Sequence, residues 1–197
     1  MHCFTSKRLV FTLFLIFAAL GVSRARQSIN KYEDFELKEG ELYWTYTYSY
    51  PGNADSIRRA VVQLLKSKAF TRNVIRNEIG YNGEIDHYEV DCKRYNRKYV
   101  NTARIYWEGE WTGKFMVEIK DNRYHVTVYG LYYEIEDHPG YYKTMRSKLK
   151  GRYVDVVARK DRASLRKAEF EDMSLMNLSL KDQFDIKYSH PIGGKDF

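Results

Sequence analysis

Lys114-Phe115-Met116-Val117-Glu118-Ile119-Lys120-Asp121-Asn122-Arg123-Tyr124-His125-Val126-Thr127-Val128 alternates apolar and polar side chains on either side of Asp121-Asn122. Phe115, Val117 and Ile119 take one parity, and Lys114, Met116, Glu118 and Lys120 take the other. Beyond the Asp-Asn pair, Tyr124, Val126 and Val128 resume the apolar parity. Side chains alternate faces along a strand, so each half reads as a strand with one buried face. Asp121 and Asn122 both tolerate positive φ and suit a two-residue turn. With Lys120 opposite Arg123, Ile119 meets Tyr124, Val117 meets Val126 and Phe115 meets Val128. All six then share one face, and a slip of one residue would expose them. After Val128 the parity inverts: Leu131, Tyr133 and Ile135 are apolar, Glu134 and Glu136 polar. Gly130 sits at the change, which implies a β-bulge or sharp bend there.

Upstream, Leu42 to Tyr50 repeats the pattern. Leu42, Trp44, Tyr46, Tyr48 and Tyr50 alternate with Tyr43, Thr45, Thr47 and Ser49. The result is a large face and a small polar face, ended by Pro51-Gly52. A helix follows, capped by Asn53 or Asp55. Its Ile57, Val61, Leu64 and Leu65 fall on one stripe, with Arg58, Arg59, Gln63 and Lys66 off it. The stripe is expected to pack on the large face of the strand. Phe70, Val74, Ile75 and Ile79 continue as a looser segment toward Gly80. Gly83 to Cys92 reads as a second strand and Lys93 to Tyr99 as a basic turn. Thr102 to Glu108 reads as a third strand, with Ala103, Ile105 and Trp107 on one face. Downstream, Tyr141 to Gly151 reads as helix or loop, and Tyr153 to Ala158 as a short strand. Between Leu165 and Phe184, Ala168, Met173, Met176 and Leu180 are spaced for a helix that covers the sheet. The fold class is α+β, with an antiparallel sheet.

The 197 residues suffice for one domain with its own core. Residues 1–25 read as a signal peptide: Lys7 and Arg8 are followed by apolar Leu9 to Val22, then Ser23-Arg24-Ala25. The apolar run is short for a membrane span, and a retained anchor is the alternative. The expected location is the periplasm, the cell surface or the medium, with no transmembrane span after cleavage. Loss of Lys7, Arg8 and Arg24 takes Lys+Arg from 33 to 30; with Asp+Glu at 26, net charge falls from +7 to +4. So mild a basicity disfavours a general polyanion binder, and nucleic acid is not the expected partner. Cys3 leaves with the signal, so Cys92 is either a buried thiol or an intermolecular partner. Residues 26–41 read as a flexible lead-in, 42–188 as the single α+β domain and 189–197 as a disordered tail. The 18 tyrosines suit half-buried strands and flat recognition surfaces equally.

A tyrosine/tryptophan strand, an amphipathic helix, then strands ending in a long aromatic one is an order that resembles a known family. Leu42 to Tyr48, Ile57 to Leu65, Gly83-Glu84-Ile85, Gly113-Lys114-Phe115 and Lys120-Asp121-Asn122-Arg123-Tyr124 carry the likeness, over about residues 42 to 136. The chain is similar to exported bacterial proteins of unknown function whose domain has a TATA-box-binding-protein-like (TBP-like) fold. The resemblance implies a curved antiparallel sheet with helices on one face and an envelope location. It assigns no catalytic residues.

Two basic stretches are interleaved with tyrosine and form the candidate ligand-binding residues. One holds Lys93, Arg94, Tyr95, Arg97, Lys98 and Tyr99; the other Tyr141, Tyr142, Lys143, Arg146, Lys148, Lys150, Arg152 and Tyr153. Arginine and tyrosine together grip nucleic acid, glycans or anionic surfaces. The bland reading is a solvated charge run. Asp86-His87 with Glu84 and Glu89 has the residue types of a metal or acid–base site. Strand neighbours face opposite ways, so Asp86 and His87 are not expected to converge. His125 falls opposite Glu118, a cross-strand pair. Asn177-Leu178-Ser179 matches a glycosylation sequon. No phosphate loop, nucleophile elbow or paired Cys/His spacing stands out, so no cofactor, metal or catalytic residue is expected. The expected function is a non-enzymatic binding or accessory module of the cell envelope, its partner an envelope protein or glycan. A glycan-active or other hydrolytic enzyme is the first alternative, an anion or nucleic-acid binder through the basic stretches the second.

Overall fold

The computed structural model describes residues 29–136 and 148–188. The hairpin is formed by β6 (Glu110–Lys120) and β7 (Arg123–Glu136), in the register that the alternation implies. Asn122 alone takes the positive φ of the turn, at 61°. Asp121 serves differently: its Oδ1 accepts the Ala54 N–H at 2.7 Å, tying the turn to the start of α1 (Ala54–Ser67). The bulge is at Gly130, whose φ is +61°. Gly130 and Leu131 stand against the single Gly113, and the buried parity of β7 moves from Val128 to Leu131.

That bulge also divides one edge of β7. Residues 123–129 pair with β3 (Glu41–Ser49), and residues 132–136 pair with β8 (Lys148–Arg152). The remaining strands are β1 (Lys31–Tyr32), β2 (Phe35–Lys38), β4 (Thr71–Arg76) and β5 (Gly80–Tyr88). The sheet order is β1-β2-β3-β7-β6-β5-β4, and every pairing is antiparallel. Helix α1 takes its N-cap from Asn53, whose side chain accepts the Ser56 N–H at 2.9 Å. Its Ile57, Val61, Leu64 and Leu65 are buried, as the stripe requires.

Long helix α4 (Phe170–Phe184) lies over the aromatic face of the sheet. Its last carbonyls lack intrahelical donors. Tyrosines of the sheet supply them: Tyr48 donates to Lys181 O at 2.8 Å and Tyr124 to Phe184 O at 2.9 Å. The two rings stack at 4.7 Å. Trp44 donates to Asn177 Oδ1 at 2.7 Å. The large face of β3 therefore packs on the core, and its Tyr48 both fills that core and caps α4.

Four expectations are corrected. Residues 31–32 and 35–38 are strands, not a lead-in: Phe35 is fully buried and paired with Trp44. Phe35 and Leu37 alternate with Glu36 and Lys38, a period-two pattern masked by the charges around it. Residues 71–76 are edge strand β4. Thr102 to Glu108 is not a strand but a turn followed by the short helix α2 (Arg104–Trp107). Ile105 and Tyr106 are neighbours and both buried, which a strand face does not allow. Tyr153 to Ala158 is likewise no strand: α3 (Tyr153–Val157) buries Tyr153, Val154 and Val157 at helical spacing. Of Tyr141 to Gly151, residues 148–151 belong to β8, and 141–147 lie outside the described residues. The signal segment 1–25 and tail 189–197 lie outside them too.

Candidate functional site: the open face of the sheet

One face of the sheet carries the core. The other carries side chains that are half-buried or exposed. Directly opposed residues of antiparallel strands share a face, so register lays this surface out in rows. One row crosses five strands: Tyr43 opposes Tyr129, Tyr129 opposes Lys114, Lys114 opposes Glu84 and Glu84 opposes Arg72. The next row is Thr45, Thr127, Met116 and Asn82. Beyond it lie Thr47, His125 and Glu118, then Ser49, Arg123 and Lys120.

The five-strand row borders a depression of about 620 Å³. Tyr43 and Tyr129 stack at its margin, centroids 6.1 Å apart and planes at 28°. Tyr132 adds a third ring, an exposed one, placed on this side by the Gly130 bulge. On the far wall Asn73 Nδ2 donates to Glu84 Oε2 at 2.5 Å, and Arg72 Nε lies 3.9 Å from Asp86 Oδ2. Lys114 makes no ion pair with a described residue. A second depression, about 210 Å³, is lined by Thr47, Glu118, Lys120, Arg123 and His125 on the same face. His125 does oppose Glu118, but its Nδ1 lies 2.9 Å from Thr47 Oγ1, so the ring bonds to β3 instead.

The first basic stretch lies elsewhere, whereas Arg152 of the second stands opposite Tyr132 and so on the same face. Arg94 Nη2 is 2.7 Å from Asp182 Oδ2, and Tyr95 donates to the same oxygen at 2.9 Å. Arg97 pairs with Glu171, again on α4. Tyr99 donates to Glu108 at 2.5 Å. These four side chains fasten the 92–101 loop to its neighbours. Arg152 pairs with Glu41, bridging β8 to β3 where β7 changes partner. Burial, then the hydrogen bond to Asp182, pushes the Tyr95 hydroxyl well above its ordinary range. Tyr141, Tyr142, Lys143 and Arg146 lie outside the described residues.

His87 departs from expectation. Its φ is 51°, and β5 slips register between Ile85 and Tyr88. The ring consequently lies 2.7 Å from Glu110 Oε2 through Nδ1 and 3.7 Å from Asp86 Oδ1 through Nε2. Asp86 and His87 do converge, because the bulge breaks the alternation that would part them. The Glu110 hydrogen bond, then the Asp86 charge, raises the His87 pKa. Among the described residues no His/Cys/Asp/Glu group is placed to hold a metal. Cys92 is buried and its Sγ donates to Tyr106 O at 3.2 Å, so the buried-thiol reading holds. The sequon is closed: Asn177 and Ser179 are buried, and Asn177 Nδ2 donates to Glu33 Oε2 at 2.5 Å.

The open face carries no chemical motif in the sequence. The signal for it was the small polar face of β3 and the polar parity of the hairpin, both visible in the alternation itself. No protein-family model matches the chain, and no curated protein matches it. Two solved structures are similar. A TBP-like protein from Parabacteroides distasonis ATCC 8503 is 16% identical, with a TM-score of 0.42 over 78% of this chain and 97% of that one. A DUF4468 family protein from Bacteroides ovatus ATCC 8483 is 10% identical, with a TM-score of 0.47 over 80% of this chain and 92% of that one. Those descriptions are of the kind that the sequence resemblance names, a TBP-like fold and a bacterial domain of unknown function.

Proposed function

We propose that the protein is an exported, non-enzymatic binding module of the cell envelope that takes its ligand on the open face of the sheet. The observation that carries this is the row from Tyr43 to Arg72 across five strands, with its depression of about 620 Å³. A volume of that size and mixed aromatic and polar walls are usual for ligand sites. Rigid strands hold the row, so little ordering entropy is lost on binding. The signal-like residues 1–25 support export, and no helix among the described residues is long and apolar enough to cross a membrane.

The alternative of a binder using the basic stretches has less support. Arg94, Arg97 and Arg152 are each occupied by a carboxylate. A hydrolytic reading draws on Glu84 and Asp86, which line the same depression. Release of reducing sugar from an oligosaccharide, abolished by Glu84→Gln, would establish it.

The test is a thermal-shift screen of the full chain against envelope glycans, peptidoglycan fragments, anionic lipids and nucleic acids. A ligand that binds only the folded state raises the midpoint with concentration. The expected result is a shift that Lys114→Ala and Tyr129→Ala each reduce. A shift that survives both changes would move the site off the open face.

A further inference from the structure

We infer that the open face binds an extended oligosaccharide bearing carboxylates, lying along β6 and β7 from Lys114 to the Lys120–Arg123 end. This rests on the open face being the ligand surface and goes on to its chemistry.

Length comes first. The two depressions sit at opposite ends of one face. Lys114 and Lys120 are on the same parity of β6, six residues apart, or about 20 Å at about 3.4 Å per residue. A small metabolite does not reach both, whereas a chain does. The floor between them is Thr45, Thr127, Met116 and Asn82, which carries no charge. Its hydroxyls and amide both donate and accept, as a polyhydroxylated ligand needs.

Charge comes next. Lys114, Lys120 and Arg123 have no ion pair with a described residue, so cations stand ready at both ends of the path. Glu84, Asp86 and Glu118 lie on the same face. Carboxylates accept hydrogen bonds from sugar hydroxyls, which a phosphodiester backbone does not offer. Alternation of acid and base across Arg72, Glu84 and Lys114 therefore suits a chain that carries hydroxyls beside its carboxylates, and it suits a polynucleotide poorly. The stacked Tyr43 and Tyr129 rings offer a flat apolar face for a sugar ring at one margin.

The test is calorimetric titration of the full chain with tetragalacturonate, with its methyl ester and with an oligothymidylate. Tetragalacturonate is expected to bind about tenfold more tightly than the ester, the scale of one charge-assisted hydrogen bond. Lys114→Ala and Arg123→Ala are each expected to weaken it by about tenfold, on the same basis. Arg59→Ala, on the exposed side of α1, should leave it unchanged. All three positions are exposed, and an unchanged thermal midpoint confirms that the variants fold. Equal binding of acid and ester, or tighter binding of oligothymidylate with a steep salt dependence, would overturn the carboxylated-sugar assignment while leaving the face in place. Loss at Lys114 alone would overturn the extended path. No binding of acid or ester overturns the assignment outright. Tight binding of tetragalacturonate that both variants leave untouched would overturn the open face as well.

Discussion

Cys92 and His87 lie five residues apart and meet opposite environments. Burial, with Asp91 adding to it, pushes the Cys92 thiol up to about 11. The thiolate is the reactive form, so Cys92 should be inert to thiol reagents at neutral pH. In a Cys3→Ser chain, reagent uptake is expected only after unfolding in urea; stoichiometric labelling of the folded protein would refute the buried geometry. His87 is exposed, and Glu110 then Asp86 raise its pKa. Its pairing therefore stabilises the fold while the ring is protonated, below about pH 6.5. That contribution fades as pH rises through the elevated folded-state value. An NMR titration should give a His87 midpoint above the ordinary histidine range, and Glu110→Gln should bring it back down. A wild-type midpoint at the ordinary value would remove the pairing. The sequence left Cys92 either buried or paired with another chain, because Asp91, Lys93 and Arg94 flank it; the turn at His87 was not legible, because no glycine or proline marks the bulge.

At the scale of elements, two glycines answer to different constraints. Gly130 has φ +61°, yet an added Cβ would meet nothing within 4 Å. An alanine there is strained only by its backbone, at about 1–2 kcal/mol. At Gly80 an added Cβ would sit 1.8 Å from Val117 O, so the strands must part. Chemical denaturation should show Gly130→Ala mildly destabilised and Gly80→Ala destabilised by more; the reverse order would contradict the bulge and the β5–β6 register. Gly130 was readable because parity changes at it. The hairpin register was readable because alternation is local and both strands agree on one face. The two false strands failed for the converse reason. Ile105 and Tyr106, and Tyr153 and Val154, are adjacent apolar pairs whose shared burial is decided by core elements distant in sequence.

For the molecule as a whole, burial sorts the tyrosines. Tyr48, Tyr88, Tyr106, Tyr124 and Tyr153 are core, while Tyr43, Tyr129 and Tyr132 border the open face. Composition could not separate these uses; strand parity parts Tyr48 and Tyr124 from Tyr43 and Tyr129, whereas Tyr88 follows the bulge at His87 and Tyr106 and Tyr153 sit on short helices. The basic loop was misleading because its partners are remote: Arg97 meets Glu171, 74 residues away. Arg94, Arg97 and Arg152, which look available in the sequence, are tethers in the fold.

Because Cys92 is buried, a Cys3→Ser chain offers a clean background for a single surface label. Asn82→Cys places that label on the uncharged row of the open face, and Arg59→Cys places it on the exposed side of α1. The decisive measurement is the affinity of each chain for tetragalacturonate before and after attachment of a bulky maleimide. The account predicts that the label at position 82 abolishes binding and the label at position 59 does not. Unchanged binding with the label at 82, or loss with the label at 59, would contradict it.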